Sequence, residues 1–183
     1  MNGTADNTFS PKANTTRGMV VTVLYRLENQ PSTSAASFTD VASGAYYANA
    51  VAWANASGIV SGYGSGKFGP NDKVTREQLA AILYRYAQYK KYDVSGANSL
   101  DGYTDVQSVS SYAVPALQWA NAAGVVNGKS GSKLDPKGYA TRAEVAAMLM
   151  RSAKTWKSKR KCNKNRTASA VRIFLLAKDA VLL

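Results

Sequence analysis

Three arginines recur at one position of a repeated stretch, and each could bind an anion. In every copy a threonine lies seven positions after a phenylalanine or leucine, the arginine follows the threonine, and a second arginine follows nine positions later. The threonine predicts a helix N-cap, so the arginine begins a helix, where backbone N–H groups point outward. A guanidinium there suits a carboxylate, because its planar fork donates paired hydrogen bonds. The candidate ligand-binding arginines are Arg17, Arg76 and Arg142.

The alternative for these arginines is a structural salt bridge or a solvated surface position. Packing alone rarely demands arginine at the same place in every copy, so ligand contact is the favoured interpretation. Arg17 is the weaker candidate, because its copy reads Thr16-Arg17-Gly18-Met19 and lacks the acidic capping partner.

Tryptophan and aspartate also recur between copies. Trp53 and Trp119 could each stack on a sugar ring, since an indole offers a flat apolar face with an N–H group. Their helical spacing predicts core packing equally well. Asp40 and Asp105 precede the first helix of their copies, and helix capping is favoured over ligand contact for both.

Each full copy is predicted to be a helix, a Gly-rich connection and a second helix. The first helix should end near Gly58, and in the last copy it should begin near Val114, because Pro115 is tolerated only in a first turn. The apolar residues of the second helices recur at helical spacing. Those helices are predicted near residues 16–29, 75–89 and 141–155.

The connections between the helices are rich in glycine, which permits positive φ and close backbone approach. These glycines are predicted to serve turn geometry, ligand access or both. The candidates are Gly62, Gly64 and Gly128.

The repeats divide the chain into six parts. Residues 1–30 form a partial repeat holding only the second half, and residues 38–89 and 103–156 form two full repeats. Residues 31–37 and 90–102 are predicted linkers, and residues 157–183 a basic, disordered tail. A repeat of this kind buries its apolar face only against its neighbours, so the predicted fold class is all-α.

Composition removes several classes of site. The chain has 183 residues, no histidine and a net charge of +12, but residues 151–183 hold ten Lys/Arg and one acid. Because the basic charge belongs to the tail, the repeats do not predict nucleic-acid binding. Cys162 stands alone, so no intrachain disulfide or His/Cys metal site is expected, and no cofactor. No signal peptide is visible, and the apolar stretch at residues 173–183 is too short to cross a bilayer.

The combined motifs give the chain a family resemblance. The order is Phe-Thr-Asp-Val, Trp-Ala, Gly-Ile-Val-x-Gly, Phe-x-Pro and Thr-Arg-(Glu/Ala)-(Gln/Glu). It resembles the S-layer homology (SLH) domain over roughly residues 3–155, and Thr141-Arg142-Ala143-Glu144 is that family's hallmark tetrapeptide. The resemblance implies three repeats packed about a pseudo-threefold axis, with their second helices in a central bundle. It also implies a bacterial cell-surface location.

The resemblance implies that grooves between repeats bind secondary cell-wall polysaccharide, often through a pyruvylated sugar. The expected function is therefore non-covalent anchoring of a surface protein to the wall, with an anionic polysaccharide as partner and no membrane contact or enzymatic activity. Two alternatives stay open: a generic helical-repeat interaction module, and the anchor fragment of a larger secreted glycoside hydrolase.

Overall fold

The computed structural model describes residues 8–34 and 38–158. Within these residues the chain folds into five α-helices, two short 3-10 helices at Val106–Ser108 and Ser111–Ala113, and isolated β-bridges. This confirms the predicted all-α class. The helices are α1 (Arg17–Leu27), α2 (Ala48–Ala56), α3 (Arg76–Tyr89), α4 (Val114–Ala122) and α5 (Arg142–Ser158).

The second helices begin where their caps were predicted. Thr75 accepts a hydrogen bond from the Gln78 N–H, and the Gln78 side chain accepts one from the Thr75 N–H, which completes a capping box. Thr141 and Glu144 make the same reciprocal pair. Thr16 caps α1 through the Met19 N–H alone. Helix α4 begins at Val114, as Pro115 predicted.

Helix packing joins one repeat to the next. Helix α1 packs against α2, and α3 packs against α4, so each of these second helices contacts the first helix of the following repeat. Leu24, Leu83 and Leu149, which occupy one position in the three copies, are 0%, 0% and 6% exposed. The repeats therefore share a core, as the prediction of mutual burial required.

Short backbone segments before the second helices also connect the repeats, and they do so in a closed cycle. The Val74 N–H donates to the Thr15 carbonyl (2.9 Å), the Ala140 N–H to the Val74 carbonyl (2.9 Å), and the Thr15 N–H to the Ala140 carbonyl (3.0 Å). The partial first repeat is thus bound to both full repeats through its backbone.

The predicted linker at 90–102 contains no helix and is mostly exposed, but it contacts the core near its C-terminal end. Leu100 is 3% exposed, and the Asn98 N–H donates to the Gln118 carbonyl of α4 at 3.2 Å. The predictions for the basic tail fall outside the described residues. Among the described residues, no helix combines the length and apolarity that a membrane crossing requires.

Candidate functional site

The three repeated arginines are buried, and each donates to the backbone of the following repeat in the cycle. Arg17, Arg76 and Arg142 are 6%, 5% and 6% exposed. Each Nε donates to the carbonyl of the Phe or Leu that opens the turn before the next second helix. Those carbonyls belong to Phe68 (3.0 Å), Leu134 (3.0 Å) and Phe9 (2.8 Å). The arginines therefore hold the repeats together, which is a structural role in addition to any contact with ligand.

Arg17 and Arg76 differ in the contacts of their remaining guanidinium nitrogens. Arg17 Nη2 donates to the Ser61 carbonyl at 3.1 Å, and Arg76 Nη2 donates to the Asn127 carbonyl at 3.0 Å. Arg76 Nη1 lies 3.0 Å from Glu144 Oε1, in an ion pair. Among the described residues, Arg17 Nη1 has no such partner, and no ion pair includes Arg17.

Arg17 lies in a poorly compensated electrostatic environment. Its guanidinium carbon lies 4.4 Å from the centre of the Tyr63 ring and 4.6 Å from that of Phe68. Burial lowers the pKa of Arg17, and the charges of more distant groups such as Asp72 only partly oppose that shift. A buried cation without an anionic partner is stabilised when an anion binds beside it.

Arg17 opens onto a cleft between repeats with a volume of about 330 Å³. We call it the Arg17 cleft. The loop after α2, helix α3 and one residue of the last repeat complete its wall. The lining residues are Arg17, Val60, Ser61, Gly62, Tyr63, Gln78, Ala81, Ile82, Arg85 and Tyr112. Its volume lies at the lower end of the usual range for small-molecule sites.

The sequence candidates did not include Arg85, Tyr63 and Tyr112, which line the Arg17 cleft. Arg85 adds a second cation, and among the described residues it has no hydrogen-bond or ion-pair partner. Tyr63 and Tyr112 are about half exposed at the same cleft. The recurrence of arginine nine positions after each threonine-linked arginine could have identified Arg85. Tyr112 comes from another repeat, and no local pattern predicts its position.

Asp40 and Asp105 do not cap helices, so the capping prediction is wrong. Asp40 accepts from the N–H groups of Phe68 (2.8 Å) and Gly69 (2.7 Å), and Asp105 accepts from those of Leu134 and Asp135 (both 2.8 Å). The 3-10 helix that follows Asp105 has no side-chain cap, and α2 begins only after Tyr47.

The two aspartates instead fix the turn that the arginines hold. Burial alone would raise the pKa of Asp40, but the two N–H donors outweigh it and hold the pKa below its ordinary value. The same balance lowers the pKa of Asp105. Because Asp40 binds the Phe68 N–H and Arg17 binds the Phe68 carbonyl, one residue of the turn is fixed from both sides.

Both tryptophans lie in the core, as their helical spacing allowed. Trp53 and Trp119 are 4% and 3% exposed. The Trp53 ring lies 5.8 Å from Tyr25, and the Trp119 ring lies 5.5 Å from Tyr84. Each indole thus fills an interface between a first helix and the second helix of the preceding repeat. Neither indole presents an open face to a sugar.

The candidate glycines lie where a larger residue would clash or would need a strained backbone. A Cβ on Gly62 would lie 2.4 Å from the Lys67 carbonyl oxygen, and one on Gly128 would lie 2.6 Å from the Tyr103 ring. Gly64 has φ +93°, in the region that favours glycine. Gly62 also lines the Arg17 cleft.

The chain is similar to parts of two enzymes and of a surface-layer protein. It is 37% identical over 152 residues to an amylopullulanase of Thermoanaerobacterium thermosulfurigenes, covering 80% of this chain and 8% of that protein. It is 34% identical over 152 residues to the exoglucanase XynX of Acetivibrio thermocellus, covering 80% and 14%. It is 27% identical over 153 residues to a surface-layer 125 kDa protein of Lysinibacillus sphaericus, covering 82% and 13%. The chain thus spans only a small part of each relative.

The part that is shared with these relatives is the repeated unit. The family description of the S-layer homology domain matches residues 1–18, 37–80 and 102–146, one segment in each repeat. The region is thus a wall-binding module of the cell surface, and the enzyme relatives match it over a small share of their own length. The chain belongs to the S-layer homology domain family.

Proposed function

We propose that this chain anchors a surface protein to the bacterial cell wall by binding an acidic secondary wall polysaccharide between its repeats. The observation that carries the proposal is the Arg17 cleft. It holds a buried arginine, 6% exposed, whose Nη1 has no partner among the described residues, and the same cleft is lined by a second cation, Arg85. A glycan carboxylate would receive charge-assisted hydrogen bonds there at little reorganisation cost, because the arginine is already fixed by Phe68 and Ser61.

The walls of the cleft suit a sugar that carries the acidic group. Tyr63 and Tyr112 expose ring surface at the mouth, and aromatic faces pack against the C–H faces of a pyranose. A pyruvate ketal is an acidic substituent that keeps its carboxylate close to the ring. We therefore propose a pyruvylated sugar as the group that enters the cleft.

The other sequence candidates keep a place in the proposal. Arg76 and Arg142 begin equivalent helices in equivalent grooves, with Gly128 beside Arg76. Ligand contact at Arg76 would be weaker than at Arg17, because Glu144 already pairs with Arg76. Asp40 and Asp105 would act as positioning residues, because they fix the turns whose carbonyls hold Arg17 and Arg76. The buried Trp53 and Trp119 would support the grooves by packing in the core between the helices.

The architecture of the module is part of the proposal. We propose that the three repeats are related by an approximate threefold axis, with α1, α3 and α5 as its inner helices. The cyclic hydrogen bonds among Thr15, Val74 and Ala140 support this arrangement, and so does the contact between α3 and α5. An axis of this kind would generate equivalent grooves between successive repeats.

The protein that this module anchors is proposed from the relatives. Two of them are named as polysaccharide-degrading enzymes, an amylopullulanase and an exoglucanase, and this chain matches a small part of each. A larger secreted glycoside hydrolase or a surface-layer protein would be held at the wall by the same contacts.

Co-sedimentation with purified peptidoglycan sacculi tests the anchoring function. The chain should sediment with sacculi that carry the secondary polymer and stay in solution after the polymer is removed. Arg85→Gln should weaken sedimentation, because it removes a cation of the cleft without removing a hydrogen bond of the fold. Lys154→Gln, which removes an exposed charge from α5, is the matched control and should leave it unchanged.

Two results would contradict the proposal. Sedimentation that survives removal of the secondary polymer would show that the polymer is not the partner. Capture of the chain by another surface protein, with no uptake by polymer-bearing sacculi, would favour the generic interaction module instead.

A further inference from the structure

The Arg17 cleft and the corresponding surface around Arg76 differ at one capping residue. Gln78 and Glu144 each lie three positions after the capping threonine of their helix. Gln78 Oε1 accepts from the Thr75 N–H at 3.1 Å, and Glu144 Oε2 accepts from the Thr141 N–H at 2.8 Å. The two residues therefore cap their helices in the same way.

The remaining side-chain atoms of Gln78 and Glu144 have different surroundings. The second carboxylate oxygen of Glu144 lies 3.0 Å from Arg76 Nη1 and 3.3 Å from Lys129 Nζ. Burial would raise the pKa of Glu144, but hydrogen bonds from Thr141 and the charges of Lys129 and Arg76 lower it, so the carboxylate stays ionised at neutral pH. Gln78 is uncharged and lines the cleft into which Arg17 opens.

We propose that the residue at this capping position decides whether the arginine of the preceding repeat is open to an anion. Glu144 occupies the position that a ligand carboxylate would take beside Arg76, so this surface is already neutralised by the protein itself. Gln78 caps α3 and leaves Arg17 available. The inference rests on the proposed function and assigns the acidic sugar to the Arg17 cleft in preference to the Arg76 surface.

An incoming carboxylate must displace different groups at the two sites. At the Arg17 cleft it displaces no protein group, because Nη1 has no partner among the described residues. At the Arg76 surface it must separate Glu144 from two cations, and a displaced Glu144 would also lose its bonds to Thr141. Breaking a partly buried pair leaves charge uncompensated, so the ligand gains little by replacing one carboxylate with another.

The chain supplies its own matched substitutions, because each repeat already tolerates the residue of the other. Gln78→Glu should place a carboxylate next to Arg17 and keep the α3 cap, as Glu144 does for α5. Glu144→Gln should release Arg76 and keep the α5 cap, as Gln78 does for α3. Gln88→Glu, at an exposed position of α3 outside the cleft, adds the same charge as Gln78→Glu and is the control.

The experiment is calorimetric titration of the full chain with a methyl hexopyranoside that bears a pyruvate ketal. The methyl ester of the same compound is the uncharged comparison. Gln78→Glu should weaken binding of the acid by about ten- to a hundredfold, the equivalent of losing one charge-assisted contact. Gln88→Glu should leave it unchanged, and Glu144→Gln should add one binding equivalent per chain.

The outcomes separate this inference from the proposed function. Unchanged affinity in a folded Gln78→Glu variant, or no added equivalent in Glu144→Gln, would overturn the assignment of the capping residue while leaving wall binding in place. Equal binding of acid and ester by the wild-type chain would overturn both, because no anion site would then exist.

Discussion

The contact between Asp40 and the turn before α3 can be tested by replacing one oxygen. Asp40→Asn keeps the shape of the side chain, but only one of its two terminal atoms can still accept. Either the Phe68 N–H or the Gly69 N–H would then face an NH₂ group. A hydrogen bond to a charged group contributes about 1.5–3 kcal/mol, so we expect the free energy of unfolding to fall by about 2–3 kcal/mol at pH 7.

The pH dependence identifies the cause of this loss. The pKa of Asp40 is lowered in the folded chain, so its stabilisation is present above the unfolded value of about 4 and is lost as the pH falls through the folded pKa. The difference between wild type and Asp40→Asn should therefore shrink below pH 4. Urea unfolding at pH 7 and at pH 2.5 measures it.

Asp101→Asn is the control for Asp40→Asn. Asp101 is exposed and accepts from Ser99 two positions away, so its replacement should stay within about 0.5 kcal/mol of wild type. A cost for Asp40→Asn that is as large at pH 2.5 as at pH 7 would refute the charge-assisted contact. An unchanged free energy of unfolding at pH 7 would also refute it.

Three further substitutions test the core and the division of roles within it. Leu83→Ala should lower the free energy of unfolding by about 2–5 kcal/mol, because the side chain is fully buried; a smaller loss in urea unfolding would contradict close packing there. Thr15→Val should raise it by about 1 kcal/mol, since the buried Thr15 hydroxyl has no partner among the described residues and Val74 fills the equivalent position; a thermal melt showing a loss would contradict that argument. Trp119→Phe should cost about 0.5–3 kcal/mol of stability. The same variant should leave the affinity for acidic glycan within about twofold, and a selective loss of affinity would restore the sugar-stacking role.

The sequence predicts the helix starts and the buried stripe correctly, because both depend on residues close together in the chain. Thr75 with Gln78 predicted the start of α3, and Pro115 predicted the start of α4, because a cap depends on residues three or four positions apart. The shared apolar stripe likewise predicted that Leu24, Leu83 and Leu149 would be buried.

The roles of the polar residues could not be predicted from nearby residues, because their partners lie far away in the chain. The acceptors of Arg17, Arg76 and Arg142 lie 51, 58 and 133 positions away in the chain. The sequence predicts that Asp40 caps the nearest helix, but the donors of Asp40 lie 28 and 29 positions away. The availability of Arg17 also depends on Gln78, a residue of another repeat, so only the folded arrangement shows which arginine lacks an anionic partner.

Binding of an acidic group of the wall polysaccharide in the Arg17 cleft can be measured directly. The most direct measurement is titration of the chain with purified wall polysaccharide before and after chemical removal of its acidic substituent. We expect a loss of affinity of at least about tenfold, since one charge-assisted contact is worth about 1.5–3 kcal/mol. Equal affinity for the two forms of the polysaccharide would contradict it.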